Sequence, residues 1–243
     1  MGAANSMLAR IIAVTELKPG IHSKFARRLE HVRTTLIPSL RSIGLDPDIF
    51  PAILGREVPK VSDGSYVFDG KTIRMDHGCI GNLMSNYSLW KLCVDSGEPL
   101  LILEDDAILP EANSWAVRYA LEDFLKVSNE NDILYLLGKN PSLKDAVKRY
   151  SESEICRING HLARVVSTGD LSCTAAYCVR PESAMVLIDR IDKTLARATD
   201  GYVHTAQREG VIGVVVQTEP TNGFMLNDNW AEWNHRHDPS VVQ

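Results

Sequence analysis

The chain has no run of about 18 uncharged apolar residues, the length a helix needs to cross a bilayer, so an obvious transmembrane helix is excluded. Its opening, Met1-Gly2-Ala3-Ala4-Asn5-Ser6-Met7, has neither the basic nor the apolar stretch of a signal peptide. Residues 1–7 read instead as an expression scar or a disordered lead-in, and the expectation is a soluble, unsecreted, cytoplasmic protein. Cysteine is scarce. Cys79, Cys93, Cys156, Cys173 and Cys178 make an odd number with no C-x-x-C pair, which suggests neither a zinc knuckle nor a disulfide framework but buried reduced thiols. There is no basic excess either. With 26 Lys and Arg against 31 Asp and Glu, the net charge of -5 argues against a grip on bare nucleic-acid phosphates. No internal repeat or domain boundary stands out, so residues 1–243 read as a single domain with a polar, aromatic tail at 227–243.

What is present is an alternation of strands and helices. Leu8 to Val14 is a short apolar run suited to a strand. After Pro19-Gly20, Ile21, Phe25, Leu29, Val32, Leu36 and Leu40 recur at helical spacing. Asp48 to Leu54 reads as a second strand, and Gly64 to Ile73 as a hairpin or loop excursion. A helix over Ile80 to Val94, stopped by Asp95-Ser96-Gly97, leads into the strand Leu100 to Leu103; a helix near Trp115 to Val127 and a strand Ile133 to Leu137 follow. Lys139 to Ser153 is polar, a solvated helix or an excursion. His161 to Val166, Thr174 to Val179 and Val211 to Val216 are further strands, and Pro181 opens a helix reaching Leu195. The repeated order predicts an α/β fold, a mostly parallel sheet covered by helices on both faces.

The informative stretch is Leu100-Leu-Ile-Leu-Glu104-Asp105-Asp106. An apolar strand ending in three consecutive carboxylates puts charge where burial is costly unless a cation compensates it. In open α/β sheets, ligands bind beyond the carboxyl ends of the strands. Hard oxygen ligands suit Mg2+ or Mn2+, which are commonly held by one or two carboxylates plus substrate phosphates. The same cluster is also compatible with an acidic loop that holds no ion, or with a phosphohydrolase or nuclease that generates a metal-bound nucleophile.

The segment Gly78-Cys-Ile-Gly-Asn-Leu-Met-Ser-Asn-Tyr-Ser-Leu-Trp90-Lys91, followed by Pro99-Leu-Leu-Ile-Leu-Glu-Asp-Asp-Ala-Ile-Leu109, resembles glycosyltransferase family 25. That family reads G-E-I-G-C-x-x-S-H-x-x-x-W and then a strand ending E-D-D-A. Looser similarity touches Ile11 to Leu17, Arg27-Arg28, Gly55-Arg56-Glu57-Val58, Thr174 to Val179 and Asp200. Cys79, Asn82 and Asn86 stand where the family carries Glu, Cys and His, and Thr15 where it carries Asn, which leaves the donor sugar and the acceptor open.

The resemblance implies a GT-A-type, Rossmann-like nucleotide-sugar fold with a C-terminal acceptor-side extension. The acidic strand end would meet a nucleotide diphosphate through a divalent cation, Mn2+ or Mg2+. Asp106 is the first candidate for the metal. Glu104 and Asp105 would contact metal, ribose or donor sugar. The family's inverting chemistry needs a base for the acceptor hydroxyl: Asp200, expected in a Thr199-Asp200-Gly201 loop after a helix, or Asp170 beside Gly169. Thr15, Arg27, Ser85 and Asn86 are donor-side candidates, against surface, capping and packing roles; Arg28 is weighed with Arg27. His235-Arg236-His237-Asp238 could lend a ligand, and Trp230 and Trp233 a sugar platform.

The implied activity moves a sugar, galactose favoured, from a donor such as a UDP-sugar to a hydroxyl of a glycan or glycoconjugate such as lipopolysaccharide. A lipid-linked acceptor would bring peripheral membrane contact. Three alternatives stay open: the same fold acting on a modified DNA base or a protein side chain, a metal-dependent phosphohydrolase, and a non-catalytic sugar-binding module.

Overall fold

The computed structural model describes residues 7–16, 23–68, 71–137, 155–166, 174–191, 198–219 and 223–226. The strands are β1 (Leu8–Ala13), β2 (Pro47–Pro51), β3 (Tyr66–Phe68), β4 (Lys71–Ile73), β5 (Leu100–Glu104), β6 (Ala107–Ile108), β7 (Asp132–Tyr135), β8 (Ile155–Arg157), β9 (Leu162–Val165), β10 (Ala176–Val179), β11 (Gly213–Gln217) and β12 (Met225–Leu226). The helices are α1 (Ser23–His31), α2 (Ile37–Ser42), α3 (His77–Ser96), α4 (Ser114–Val127), α5 (Pro181–Arg190) and α6 (Thr199–Arg208).

Eight strands form one sheet in the order β2-β1-β5-β10-β7-β11-β9-β8. β2, β1, β5, β7, β11 and β8 run one way, and β10 and β9 run against them. The sheet is therefore mostly parallel, as the sequence suggests, with reversed strands at two interior positions. The excursion at Tyr66 to Ile73 is an antiparallel hairpin of β3 and β4.

Successive side chains along a strand face opposite sides, and β5 shows the result. Leu100 and Ile102 join a core with Ile80, Met84 and Trp90 of α3, Leu187 of α5 and Val203 of α6. Leu101 and Leu103 join the opposite core with Leu29 of α1, Leu40 of α2 and Phe124 of α4. Both faces are covered, so β5 reads as an unbroken apolar run rather than as an alternation.

α3 is held at both ends. The Asp76 carboxylate accepts a hydrogen bond from the Cys79 backbone N–H at 2.8 Å, and Gly97, at φ +69°, closes the helix in the left-handed conformation. The amphipathic run from Ile21 to Leu40 is not one regular helix. Residues Val32–Leu36 form a π-helical turn in which the Ile37 N–H bonds the Val32 carbonyl, five residues back. Pro38 explains it: proline has no N–H for the carbonyl four residues earlier, and its ring crowds that oxygen, so the ladder widens by one residue.

A second correction concerns Thr199 to Arg208, where the sequence predicts a loop around Asp200. The segment is α6, whose Tyr202, Val203 and Ala206 are buried. Gly201 and the threonines at 199 and 205 are poor helix formers, so tertiary packing rather than propensity makes this helix. No helix among the described residues is long and apolar enough to cross a membrane.

Candidate active site

The alternation that sorts the core also sorts the carboxylates. Glu104 continues the side of Leu100 and Ile102 and meets α3, where the Asn82 side-chain amide donates to its Oε1 at 3.0 Å. Asp105 continues the side of Leu101 and Leu103 and meets α1. There Arg28 Nη1 donates to Asp105 Oδ1 at 2.9 Å, and Nη2 donates to Asp106 Oδ2 at 3.2 Å. One guanidinium thus spans two adjacent carboxylates, a geometry a lysine ammonium does not match.

Two of the three acidic groups hold that guanidinium, and the third, Glu104, lies within reach of their charge. Burial, and then the charge of Asp106, push Glu104 up to about 8 against the opposing Asn82 hydrogen bond. Burial likewise raises Asp105 to about 6, with the Arg28 charge pulling the other way. Asp106 Oδ1 is buried and has no hydrogen-bond partner among the described residues. A buried, unpartnered carboxylate oxygen is costly and asks for a ligand.

Behind Glu104 lies a hydrogen-bonded chain. Thr199 Oγ1 donates to Asn82 Oδ1 at 2.5 Å, and Asn86 Nδ2 donates to the same oxygen at 3.2 Å. Tyr177 OH donates to Asn86 Oδ1 at 2.6 Å and accepts from Trp90 Nε1 at 2.9 Å. Burial holds the Tyr177 phenol well above its ordinary value, so it stays protonated as a donor. Asn86 is therefore spent inside the protein between α3 and β10, at 1% exposure.

The other sequence candidates fall in different places. Asp200 sits in the first turn of α6, where its Oδ1 accepts from the Gly201 N–H at 2.8 Å; it is partly buried and close enough to the first turn of α3 to add a small push to the Cys79 thiol, which burial and then Asp76 raise. Ser85 is fully buried: its hydroxyl donates to the Gly81 carbonyl at 2.9 Å and accepts from the Ile53 N–H at 2.9 Å, clamping α3 to the loop after β2. Arg27 lies on the exposed side of α1, and Arg28 is the one turned to the acids. Thr15 lies two residues past the carboxyl end of β1, whose Ile12 pairs with Glu104, and is partly buried. Asp170, Trp230, Trp233, His235 to Asp238 and Lys139 to Ser153 lie outside the described residues.

Asn82 and Thr199 are site residues that sequence reasoning missed. Asn82 is visible there only as a departure from the family's cysteine, one helical turn before Asn86.

Among the described residues no group of three or more His, Cys, Asp and Glu converges as a metal cage. The donor set nevertheless fits a hard cation held by few protein oxygens, because Asp106 Oδ1 is buried without a partner among those residues and the Asp106 charge acts on Glu104, two residues before it. Arg28 competes for Asp106.

A cleft of about 570 Å³ lies elsewhere, at the amino ends of β7 and β11, lined by Asn129, Asp132, Arg164 and Gly213 among others. Its buried charge is already satisfied: both Arg164 terminal nitrogens and the Asn129 N–H donate to the Asp132 carboxylate. It is a structural staple at the end of the sheet opposite the acids.

Comparison with curated proteins gives no match. Solved structures that resemble the chain include a mannose-1-phosphate geranyltransferase from Thermus thermophilus, at 13% identity and TM-score 0.39, covering 91% of this chain and 76% of that one. Another is a Bacillus anthracis protein named as a glucose-1-phosphate thymidylyltransferase, in complex with sucrose, at 10% identity and TM-score 0.38, covering 87% of each chain. At these scores neither informs the reading of the site. The family model described as glycosyltransferase family 25 (LPS biosynthesis protein) matches residues 24–203, a span that holds Arg28, Asn82, the three carboxylates and Asp200. The chain belongs to glycosyltransferase family 25 and is a glycosyltransferase.

Proposed function

We propose that this glycosyltransferase moves a sugar, with galactose the leading choice, from a nucleotide diphosphate donor of the UDP type to a hydroxyl of a glycan or glycoconjugate such as lipopolysaccharide, with inversion at the anomeric carbon. Family membership supports the reaction class. The observation that carries the site is the buried Asp106 Oδ1, unpartnered among the described residues, at the carboxyl end of a central strand.

Asp106, with Glu104 as second ligand, holds a divalent cation, Mn2+ or Mg2+. Bound there, the cation supplies neutralisation of the charge on the departing diphosphate. Asp105 fixes Arg28, whose guanidinium presents a second positive charge at the same strand end. Asp200 accepts the proton of the acceptor hydroxyl, raising its nucleophilicity as it attacks the anomeric carbon. Asp170 is the second candidate for that role. Thr15 belongs to the donor side.

A second reading rests on Arg28 itself. Its guanidinium already bridges Asp105 and Asp106, so it supplies the positive charge and turnover needs no metal.

A thermal-shift and donor-hydrolysis panel of UDP-, GDP-, CMP- and dTDP-sugars, with Mn2+ or with EDTA, tests both. A UDP-sugar that raises the melting temperature only with Mn2+, and loses that effect in Asp106→Ala, is the expected result. Equal stabilisation and turnover in EDTA selects the Arg28 reading. If no nucleotide sugar stabilises the protein in either condition, the donor assignment fails.

A further inference from the structure

Asn82 lies where three elements meet. It sits on α3, its Nδ2 donates to Glu104 at the end of β5, and its Oδ1 accepts from Thr199 at the head of α6. One side chain thus bonds both a site carboxylate and the turn that carries Asp200.

We propose that Asn82 is a positioning residue: its amide ties Glu104 to Thr199 and so sets the separation of the acidic strand end from Asp200. The inference rests on the glycosyltransferase site described above.

The chemistry of the amide makes the choice specific. A primary amide is neutral and carries both donors and an acceptor, so one end can face a carboxylate while the other receives a hydroxyl. A carboxylate at position 82 has no N–H to give Glu104 Oε1, and an aliphatic side chain would leave Glu104 Oε1 and Thr199 Oγ1 without these bonds. The orientation is also fixed from behind. Asn86 donates to the Asn82 carbonyl at 3.0 Å and to its Oδ1, and Asn86 is itself held by Tyr177, whose hydroxyl accepts in turn from Trp90; both aromatic residues are fully buried. Thr199 is 1% exposed, so water does not readily replace the bond. The bridge from Thr199 to Glu104 therefore runs through one rotamer, that of Asn82, beside a longer direct contact from Asn86 Nδ2 to Thr199 Oγ1 at 3.5 Å.

A group that sets the distance between reacting partners affects turnover more than donor affinity, since a displacement of about 1 Å can cost up to about a hundredfold in rate. Asn82→Ala and Thr199→Val are each expected to lower kcat about tenfold or more with donor KM within about twofold, while Thr199→Ser, which keeps the hydroxyl, retains parental kcat. The double variant Asn82→Ala/Thr199→Val should lose no more than the worse single, because both break one link. Amide hydrogen exchange over residues 199–203 supplies a readout independent of turnover: it should speed up in Asn82→Ala and Thr199→Val and stay parental in Thr199→Ser. Parental kcat in Asn82→Ala, losses that multiply in the double variant, or unchanged exchange would each overturn the role. If the parent protein turns over no nucleotide sugar, the functional reading is what fails, and the exchange arm alone then decides whether the tie exists.

Discussion

Arg27 and Arg28 show how far single positions can be read. An acidic cluster needs a cation, and of the two arginines Arg27 is the one expected from sequence on the donor side, with Arg28 weighed beside it. Helical phase favours the other: Arg28 lies three residues after Phe25 and four before Val32, next to the buried stripe, and it is Arg28 that reaches Asp105 and Asp106. Glu104 yields a pH prediction at this scale. Its folded-state value of about 8 lies above the ordinary 4.5, so between those values the native state binds more protons than the unfolded state. Stability then falls as pH rises through that window, and the loss is complete above about 8. Asp105, raised from 3.8 to about 6, adds to the lower part of the fall. The melting temperature of the ligand-free protein, followed from about pH 5 to 8.5, should decline more steeply than that of Glu104→Gln. Parallel profiles for the two proteins would contradict the burial of that charge.

Elements are legible where periodicity is strong and lost where packing overrides it. The strand with its acidic end, the long helix before it and the helix after Pro181 follow from apolar spacing and caps; α6 and the π-helical turn do not, because the first is made by burial and the second by one proline inside a regular pattern. The junction of α3 with the loop after β2 is invisible in the same way. A Cβ at Gly81 would lie 2.6 Å from the Ile53 carbonyl oxygen and 2.8 Å from the Gly55 nitrogen, both backbone atoms. Gly81→Ala must therefore shift the loop or the helix and is expected to lower stability in urea unfolding by about 1–3 kcal/mol. Ser85→Ala, which removes the clamp beside it, should cost about 1–2 kcal/mol with donor KM within about twofold. A large rise in KM with little change in stability would return Ser85 to the donor side.

At the scale of the whole molecule, the alternating order of strands and helices points to the layered α/β architecture, but nothing in an apolar run states which way it points. β10 is four buried residues whose sequence suits either direction, and only the sheet reveals that it lies reversed between β5 and β7. That insertion orders events in time as the chain is made. β5 can pair early with β1, which precedes it, yet its other edge is completed by Ala176–Val179, so Leu101 and Leu103 wait with an unpaired rim until more than 70 further residues, roughly, have been synthesised. An apolar strand left with an open rim is a template for association with other chains. A chain ended at residue 173 should aggregate, with light scattering rising as its concentration is raised, whereas the 243-residue chain stays clear. The strand that displays the carboxylates is in this sense sealed late, and the site comes into being only once β10 has arrived.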